Sequence, residues 1–251
     1  MKPMREDLDA LLRGWPYVHG EVTARKTHGA DGRPVLQLRI DLGVLQMEVQ
    51  GRPDGTRPEG HPTYLEALRD QQAIAGAAFE LDEDRCVEID REFVQYYHRR
   101  VAWMALRNFE RVVEDADHTL ALMDFCAAHP PSQDWIEEHE QYRPFVLFHR
   151  TQAAALAALQ EADPEGAIAA IDEGLRALSE SVADLSALDF EDVEEFGFSE
   201  RLGELRRSIL TEYDLQASLA EQLSDAIAHE KYELAAKLRD RMAEKSDRRS
   251  R

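Results

Sequence analysis

The chain has 251 residues, of which 30 are Lys or Arg and 50 are Asp or Glu, so its formal net charge is −20. Hydrophobic residues make up 43% and charged residues 32%, a balance typical of a globular protein with a real core, which excludes full disorder. The strong negative charge argues against direct nucleic-acid binding, because nonspecific binders displace counterions with a basic face. We therefore expect no nucleic-acid partner.

Three features of the sequence indicate its compartment. No apolar run approaches the ~20 residues needed to span a bilayer, so we expect no membrane contact. The N-terminus MKPMREDLDALL carries acids where a signal peptide has a basic segment followed by an apolar one. Cys86 and Cys126 do not form the pattern of a disulfide framework. Together these features predict a cytoplasmic protein.

Residues 1–81 favour a small α+β domain with an antiparallel sheet. Alternation of apolar and polar residues predicts three strands, at about 17–26, 34–42 and 44–50. In the second strand Leu36, Leu38 and Ile40 share one face, and Gln37, Arg39 and Asp41 share the other. Asp31-Gly32 is a hairpin-type turn signal, and Gly43 indicates a bulge or a bend. A helix is predicted at about 62–76, with Pro62 in its first turn.

Residues 82–180 predict a layer of four helices. The first begins at Asp82, a candidate cap, and breaks at 107–109; the others lie at about 110–127, 142–161 and 164–180. The arrangement of helix, tight turn and helix occurs twice, with starts about 55–60 residues apart, and resembles tetratricopeptide-type repeats. Ala167, Ile171 and Gly174 stand where that family keeps small and apolar residues. A segment at about 128–141 is interpreted as an insertion between the two units.

Residues 181–198 are predicted to be an acidic linker that also carries aromatic side chains. Residues 161–200 hold 13 acids against the single Arg176. One interpretation is a solvated linker whose aromatic side chains pack on the helical layer. The other is an acidic docking segment for a basic partner.

Residues 199–251 carry the most specific pattern of the chain. One long helix is predicted from Ser199 to about Glu230, followed by a turn and a helix at about 231–245. The segment Leu219–Asp240, LAEQLSDAIAHEKYELAAKLRD, resembles the UVR motif, a helical hairpin shared by UvrB, UvrC and certain bacterial regulators of proteases. The resemblance rests on the QL and AI pairs, the E-x-Y-E turn, the AA pair and the closing L-R-D.

This resemblance implies contact with another protein, one that itself carries a UVR-like hairpin, and a homo-oligomer is a further candidate. The expected partner-binding residues are Leu219, Leu223, Ile227, Tyr232, Leu234, Ala235, Leu238, Arg239 and Met242. The alternative is a hairpin that packs only on its own chain. The zinc-binding C-x-x-C pairs of the protease regulators and the helicase and nuclease parts of UvrB and UvrC have no counterpart here, so the motif implies contact without catalysis.

A second hypothesis concerns the N-terminal domain, where Arg-Pro-acid-Gly occurs twice, at 52–55 and 57–60. Proline and glycine explain a rigid double turn. The forked donors of Arg52 and Arg57, with Asp54 between them, form a candidate anion-binding site. That domain would then bind or convert a small anionic substrate; otherwise the arginines only brace the turns.

The sequence thus predicts an α+β, mostly α fold: a small antiparallel sheet domain, a tetratricopeptide-like layer, and a C-terminal long helix with a helical hairpin. Its favoured function is a non-enzymatic adaptor linked to DNA repair or to stress and proteolysis regulation. No catalytic residue, metal site or cofactor is expected.

Overall fold

The computed structural model describes residues 7–186 and 197–215, and in the C-terminal segment residues 227, 229, 231–234, 236, 237 and 239. This part of the chain contains eight α-helices and one three-stranded antiparallel sheet, which confirms the predicted α+β, mostly α class. The chain divides into two compact units, Met1–Leu202 and Gly203–Arg251. The finer segment boundaries given above stay predictions.

The elements follow one another with short connections. The strands are β1 Thr23–His28, β2 Pro34–Ile40 and β3 Gly43–Glu48. The helices are α1 Asp9–Gly14, α2 Tyr64–Ala75, α3 Glu83–Ala105, α4 Phe109–Ala128, α5 Gln133–Glu140, α6 Arg143–Gln160, α7 Pro164–Ser186 and α8 Phe198–Glu212.

The sheet is a meander in the order β1-β2-β3. The predicted turn at Asp31-Gly32 is confirmed: the Gly32 N–H donates to the Gly29 carbonyl at 2.9 Å, with φ at 84° for Gly32. Ile40 pairs with Gly43, and the β2–β3 register continues without interruption. Gly43 is therefore the first residue of β3 and not a bulge.

Strand β1 begins later than predicted, because the residues before it fold over the sheet. The Glu21 N–H donates to the Val18 carbonyl at 3.1 Å and closes a turn. The Trp15 carbonyl accepts from Nε of Arg39 at 2.8 Å. Gln37 and Arg39, on the face predicted to point away from the core, are consequently each only 7% exposed.

Two hydrophobic clusters hold the sheet and the helices together. The first joins β2 and β3 to α3, α4 and α6, through Leu36, Leu38, Met47, Ala102, Trp103, Phe109, Val112 and Ala153. The second joins α2, α3 and α4, through Tyr64, Leu65, Ala67, Leu68, Phe79, Leu81, Cys86, Ile89, Leu122 and Cys126. The sheet and the helical layer therefore share buried side chains.

Side-chain caps fix the starts of α2 and α3. Oγ1 of Thr63 accepts from the Glu66 N–H at 3.3 Å, so α2 begins at Tyr64. Pro62 consequently precedes the cap instead of lying in the first turn, as predicted. The carboxylate of Asp82 accepts from the Arg85 N–H at 2.9 Å, which confirms Asp82 as the cap of α3.

Helices α3–α4 and α6–α7 form two hairpins that are closed by the same turn. Arg107 in the first and Ala162 in the second have left-handed backbone conformations, with φ at 55° and 58°. In both turns the next residue closes a Schellman-type hydrogen bond, Asn108 N–H to Trp103 carbonyl at 3.0 Å and Asp163 N–H to Ala158 carbonyl at 2.9 Å. Two identical turns thus recur 55 positions apart.

The segment between the two hairpins, predicted as an insertion, contains the short helix α5. Oγ of Ser132 accepts from the Trp135 N–H at 3.2 Å and starts this helix. Nε2 of His139 lies 2.8 Å from a carboxylate oxygen of Asp90, which ties α5 to α3. Helix α7 extends to Ser186, so the first residues assigned to the acidic linker are helical.

Helix α8 corrects the prediction of one long helix from Ser199 to about Glu230. It ends at Glu212, and Asp214 follows in the left-handed conformation, with φ at 50°. The Leu215 N–H then donates to the Leu210 carbonyl at 3.0 Å, which is the Schellman bond of the other two turns. The apolar periodicity does not register this turn, because the residue that makes it is aspartate and not glycine.

Candidate partner-binding site

The C-terminal segment presents large apolar side chains to solvent. Ile227 is 54% exposed, Tyr232 is 67% exposed and Leu234 is 46% exposed. Fully burying a leucine-sized side chain contributes roughly 1.5–3 kcal/mol. A partner that covers these side chains would therefore gain binding free energy from each of them. Several such residues close together in sequence are typical of an interaction surface.

A shallow, open groove lies in the same segment. Tyr232 and Leu234 line it together with Lys231, Glu233 and Lys237. Two ammonium groups against one carboxylate make the groove locally basic, in a chain whose net charge is −20. This combination of apolar and basic groups favours a partner surface that is both apolar and acidic.

The structure places the predicted partner-binding residues in two groups. Ile227, Tyr232, Leu234 and Arg239 are described and exposed. Leu219, Leu223, Ala235, Leu238 and Met242 lie outside the described residues.

Comparison with known proteins identifies this segment. Residues 214–247 match the family model of the UVR motif, described as the UvrB/uvrC motif. The UVR resemblance of Leu219–Asp240 is thereby confirmed. The match begins at Asp214, the residue whose left-handed conformation follows α8, and it covers a small part of the chain. No curated protein matches the chain, and no solved structure matches it.

The second predicted site centres on Arg52, which is only 3% exposed. One terminal nitrogen of its guanidinium donates to the Glu88 carboxylate at 2.8 Å. Its Nε lies 3.4 Å from the Glu92 carboxylate and 3.7 Å from that of Asp54. Three acids of the chain therefore already surround this guanidinium.

The other two residues of the double turn also have partners within the chain. Nε and a terminal nitrogen of Arg57 donate to the Gly60 carbonyl at 3.2 and 3.0 Å. Burial raises the pKa of Asp54, but hydrogen bonds from Thr56 and Gln95 and the charge of Arg52 outweigh it, so this pKa lies below its ordinary value. These contacts favour the interpretation of a braced double turn, and anion binding there stays a prediction.

A buried polar network next to Arg52 escaped the sequence analysis. Glu92 is fully buried, and its carboxylate accepts from the Tyr64 and Leu65 N–H groups at 2.7 and 3.2 Å. These are the first residues of α2, whose free N–H groups attract a negative charge. Nε2 of His118 lies 2.8 Å from the same carboxylate. Glu92 thus joins α2, α3 and α4 at one point.

Arg99 extends this network toward the sheet. Its guanidinium forms a two-pronged ion pair with Asp115, with the shortest contact at 2.7 Å. Another of its nitrogens donates to the carbonyls of Glu48 and Gly51 at 3.1 and 2.7 Å. The sequence does carry a signal for this network, because Glu88, Glu92, Tyr96 and Arg99 follow helical spacing on one side of α3. Apolar periodicity does not detect it, because these residues are polar or charged.

Three properties of the part of the chain that the structure describes bear on other kinds of site. Among the described residues, no group of three or more His, Cys, Asp or Glu side chains is placed to hold a metal ion. No helix in that part of the chain is long and apolar enough to cross a membrane. Burial raises the pKa of Cys126 to about 12, so its thiol is a poor nucleophile.

Proposed function

We propose that the protein is a non-enzymatic adaptor that binds another protein through its C-terminal UVR motif. The observation that carries this proposal is the exposure of Ile227, Tyr232 and Leu234 inside the segment that matches the motif. A hairpin of about thirty residues cannot bury its own apolar face, so that face needs a second surface.

The partner we propose is a protein that itself presents a UVR-like hairpin. Two such hairpins offer each other an apolar face of similar size, and the basic groove at Lys231 and Lys237 selects a partner with acidic groups at the rim. Self-association uses the same surface, with a second copy in place of the partner. The processes proposed for such a contact are DNA repair or the regulation of stress responses and proteolysis.

We also infer that α3–α4 and α6–α7 are two tetratricopeptide-like units that form a scaffold for the motif. Their identical turns support this, and so does the burial of equivalent positions in the second helix of each hairpin. Val112 and Ala167 are both fully buried, as are Ala116 and Ile171, and each pair is separated by the same 55 positions as the turns.

A binding experiment with the full chain tests the adaptor proposal. The sequence places Leu238 at the centre of the apolar stripe of the last helix, so Leu238→Asp should abolish association with a purified UVR-bearing protein, because an unpaired charge would enter the contact. Arg248→Ala, beyond the match, should leave the affinity unchanged. Isothermal titration calorimetry gives the affinity and circular dichroism the folding. Equal binding by Leu238→Asp and the unaltered chain would contradict the proposal.

A further inference from the structure

Helices α3 and α6 meet through aromatic side chains. The rings of Tyr97 on α3 and Phe145 on α6 lie 6.1 Å apart. Further along both helices, Ala102 and Ala153 belong to one core cluster. The positions about one turn after Tyr97 on α3 and after Phe145 on α6 hold two residues that interact electrostatically.

Arg100 is the residue of α3 at that position, and within the described part of the chain no carboxylate forms an ion pair with it. It is only 2% exposed, and it donates to Oγ1 of Thr119 at 3.2 Å. Its Nε is buried and has no hydrogen-bond partner among the described residues. The carboxylate that attracts it, Asp115, already forms the two-pronged pair with Arg99. Two buried guanidinium groups therefore share one acid.

His149 is the residue of α6 at that position, and it too has a buried atom, Nδ1, without a hydrogen-bond partner in the described part of the chain. Burial, together with the positive charges of Arg100 and Arg201, lowers the pKa of His149 to about 4. Arg201, on the first turns of α8, is exposed, and its guanidinium lies 4.7 Å from the Phe148 ring centroid.

We propose that Arg100, His149 and Arg201 form a binding site for an oxyanion, either a carboxylate or a phosphate. The oxyanion accepts from Nε of Arg100 and Nδ1 of His149, which are both buried and have no hydrogen-bond partner among the residues that the structure describes. Charge-assisted hydrogen bonds of this kind are among the strongest in proteins. Arg201 adds positive charge on the solvent side of the site, where Tyr97 is also 40% exposed.

The oxyanion has two sources, a free anion or a carboxylate of the chain itself. Phe198 stacks on Phe148 with ring centroids 5.0 Å apart, so the first residue of α8 lies next to the residue that precedes His149. The residues before Phe198 are strongly acidic and include Asp189, Glu191, Asp192, Glu194 and Glu195. A variant with amides at these five positions distinguishes the two sources.

Thermal unfolding with inorganic phosphate as the probe tests the site, with chloride at equal ionic strength as the reference. A ligand that binds only the folded state raises the melting temperature, and we expect a rise of roughly 2–4 °C. Arg100→Met should abolish this rise. Arg150→Met is the matched control, because Arg150 follows His149 directly but is already paired with Asp117, and it should keep the rise.

Two further arms make the result decisive. Arg201→Met replaces an exposed side chain, so the variant should fold even if Arg100→Met does not. It should show a smaller phosphate-induced rise in melting temperature than the unaltered chain. A phosphate effect in the unaltered chain indicates a free anion, and an effect that appears only in the five-amide variant indicates that the chain's own carboxylates occupy the site. The proposal is overturned by a phosphate effect in neither protein, or by one that both arginine substitutions leave unchanged. The outcome is independent of UVR-mediated association.

Discussion

Thr151 and Gly174 meet where α6 and α7 cross, with no room for a side chain between them. A Cβ atom at Gly174 would lie 2.0 Å from Oγ1 of Thr151 and 2.2 Å from its Cγ2. Thr151 is only 2% exposed, so it has no solvent into which to move. Glycine at position 174 therefore allows α6 and α7 to approach each other more closely than any larger residue would.

Gly174→Ala should consequently destabilise the protein by about 1–3 kcal/mol, the usual cost of overpacking, although alanine has the higher helix propensity. Gly203→Ala is the matched control, because an added Cβ meets only the flexible end of Arg207, at 3.6 Å. It should stabilise α8 by roughly 0.5–1 kcal/mol. Urea unfolding measures both. A stabilising Gly174→Ala would show that α6 and α7 are further apart than described.

The turn residue Ala162 stores backbone strain, since its left-handed conformation suits glycine and not alanine. Ala162→Gly should raise the free energy of unfolding by about 0.5–1 kcal/mol. The same substitution at the exposed Ala169, inside α7, should lower it by a similar amount, because glycine destabilises a helix interior. Equal destabilisation by both changes, seen in chemical denaturation, would argue against a left-handed residue at 162.

Glu92 should be the most sensitive carboxylate of the described chain. Glu92→Gln removes the charge that faces Arg52 and the first N–H groups of α2 while keeping the shape, and breaking a buried ion pair costs about 3–5 kcal/mol. Glu114→Gln breaks an exposed pair with Arg111, which is worth only ~0–1 kcal/mol. Denaturant midpoints compare the two. A small effect at Glu92 would mean that the network is not stabilising.

The lowered pKa of His149 predicts a pH dependence of stability. Unfolded histidine titrates at about 6.5, whereas folded His149 titrates at about 4, so between these values the unfolded state binds more protons. Stability should therefore fall by up to about 3 kcal/mol as the pH drops from 6.5 to 4. His149→Phe should flatten this slope in phosphate-free buffer, and His28→Phe, at an exposed position, should not. An unchanged slope in His149→Phe would contradict the buried, neutral imidazole.

The sequence predicted elements well where one local signal dominated. The start of α3 at the cap Asp82 was predicted correctly, as was the end of α4, expected at about residue 127 and found at Ala128. It failed where a distant contact decided the outcome: residues 15–21 fold over the sheet because Arg39 holds the Trp15 carbonyl. The turn at Asp214 was missed for a different reason, since a left-handed aspartate leaves no pattern in the sequence.

The candidate site was predictable in part. The UVR motif could be identified because its residues follow a fixed spacing, and the family match at 214–247 confirms it. The network of Glu92, Arg99 and Asp115 could not be identified from the sequence, because its ion pairs join residues that are far apart along the chain. In addition, charged residues at helical spacing usually indicate a face of the helix that is exposed to solvent.

The most direct test of the adaptor account compares Leu234→Asp with Ile74→Asp in the full chain. Both replace an exposed apolar side chain, 46% and 81% accessible, but only Leu234 lies in the UVR match. Isothermal titration with a UVR-bearing protein should show binding lost in Leu234→Asp, because a charge would be buried in the contact, and unchanged in Ile74→Asp. Retained affinity in Leu234→Asp, or an equal loss in both variants, would contradict the account.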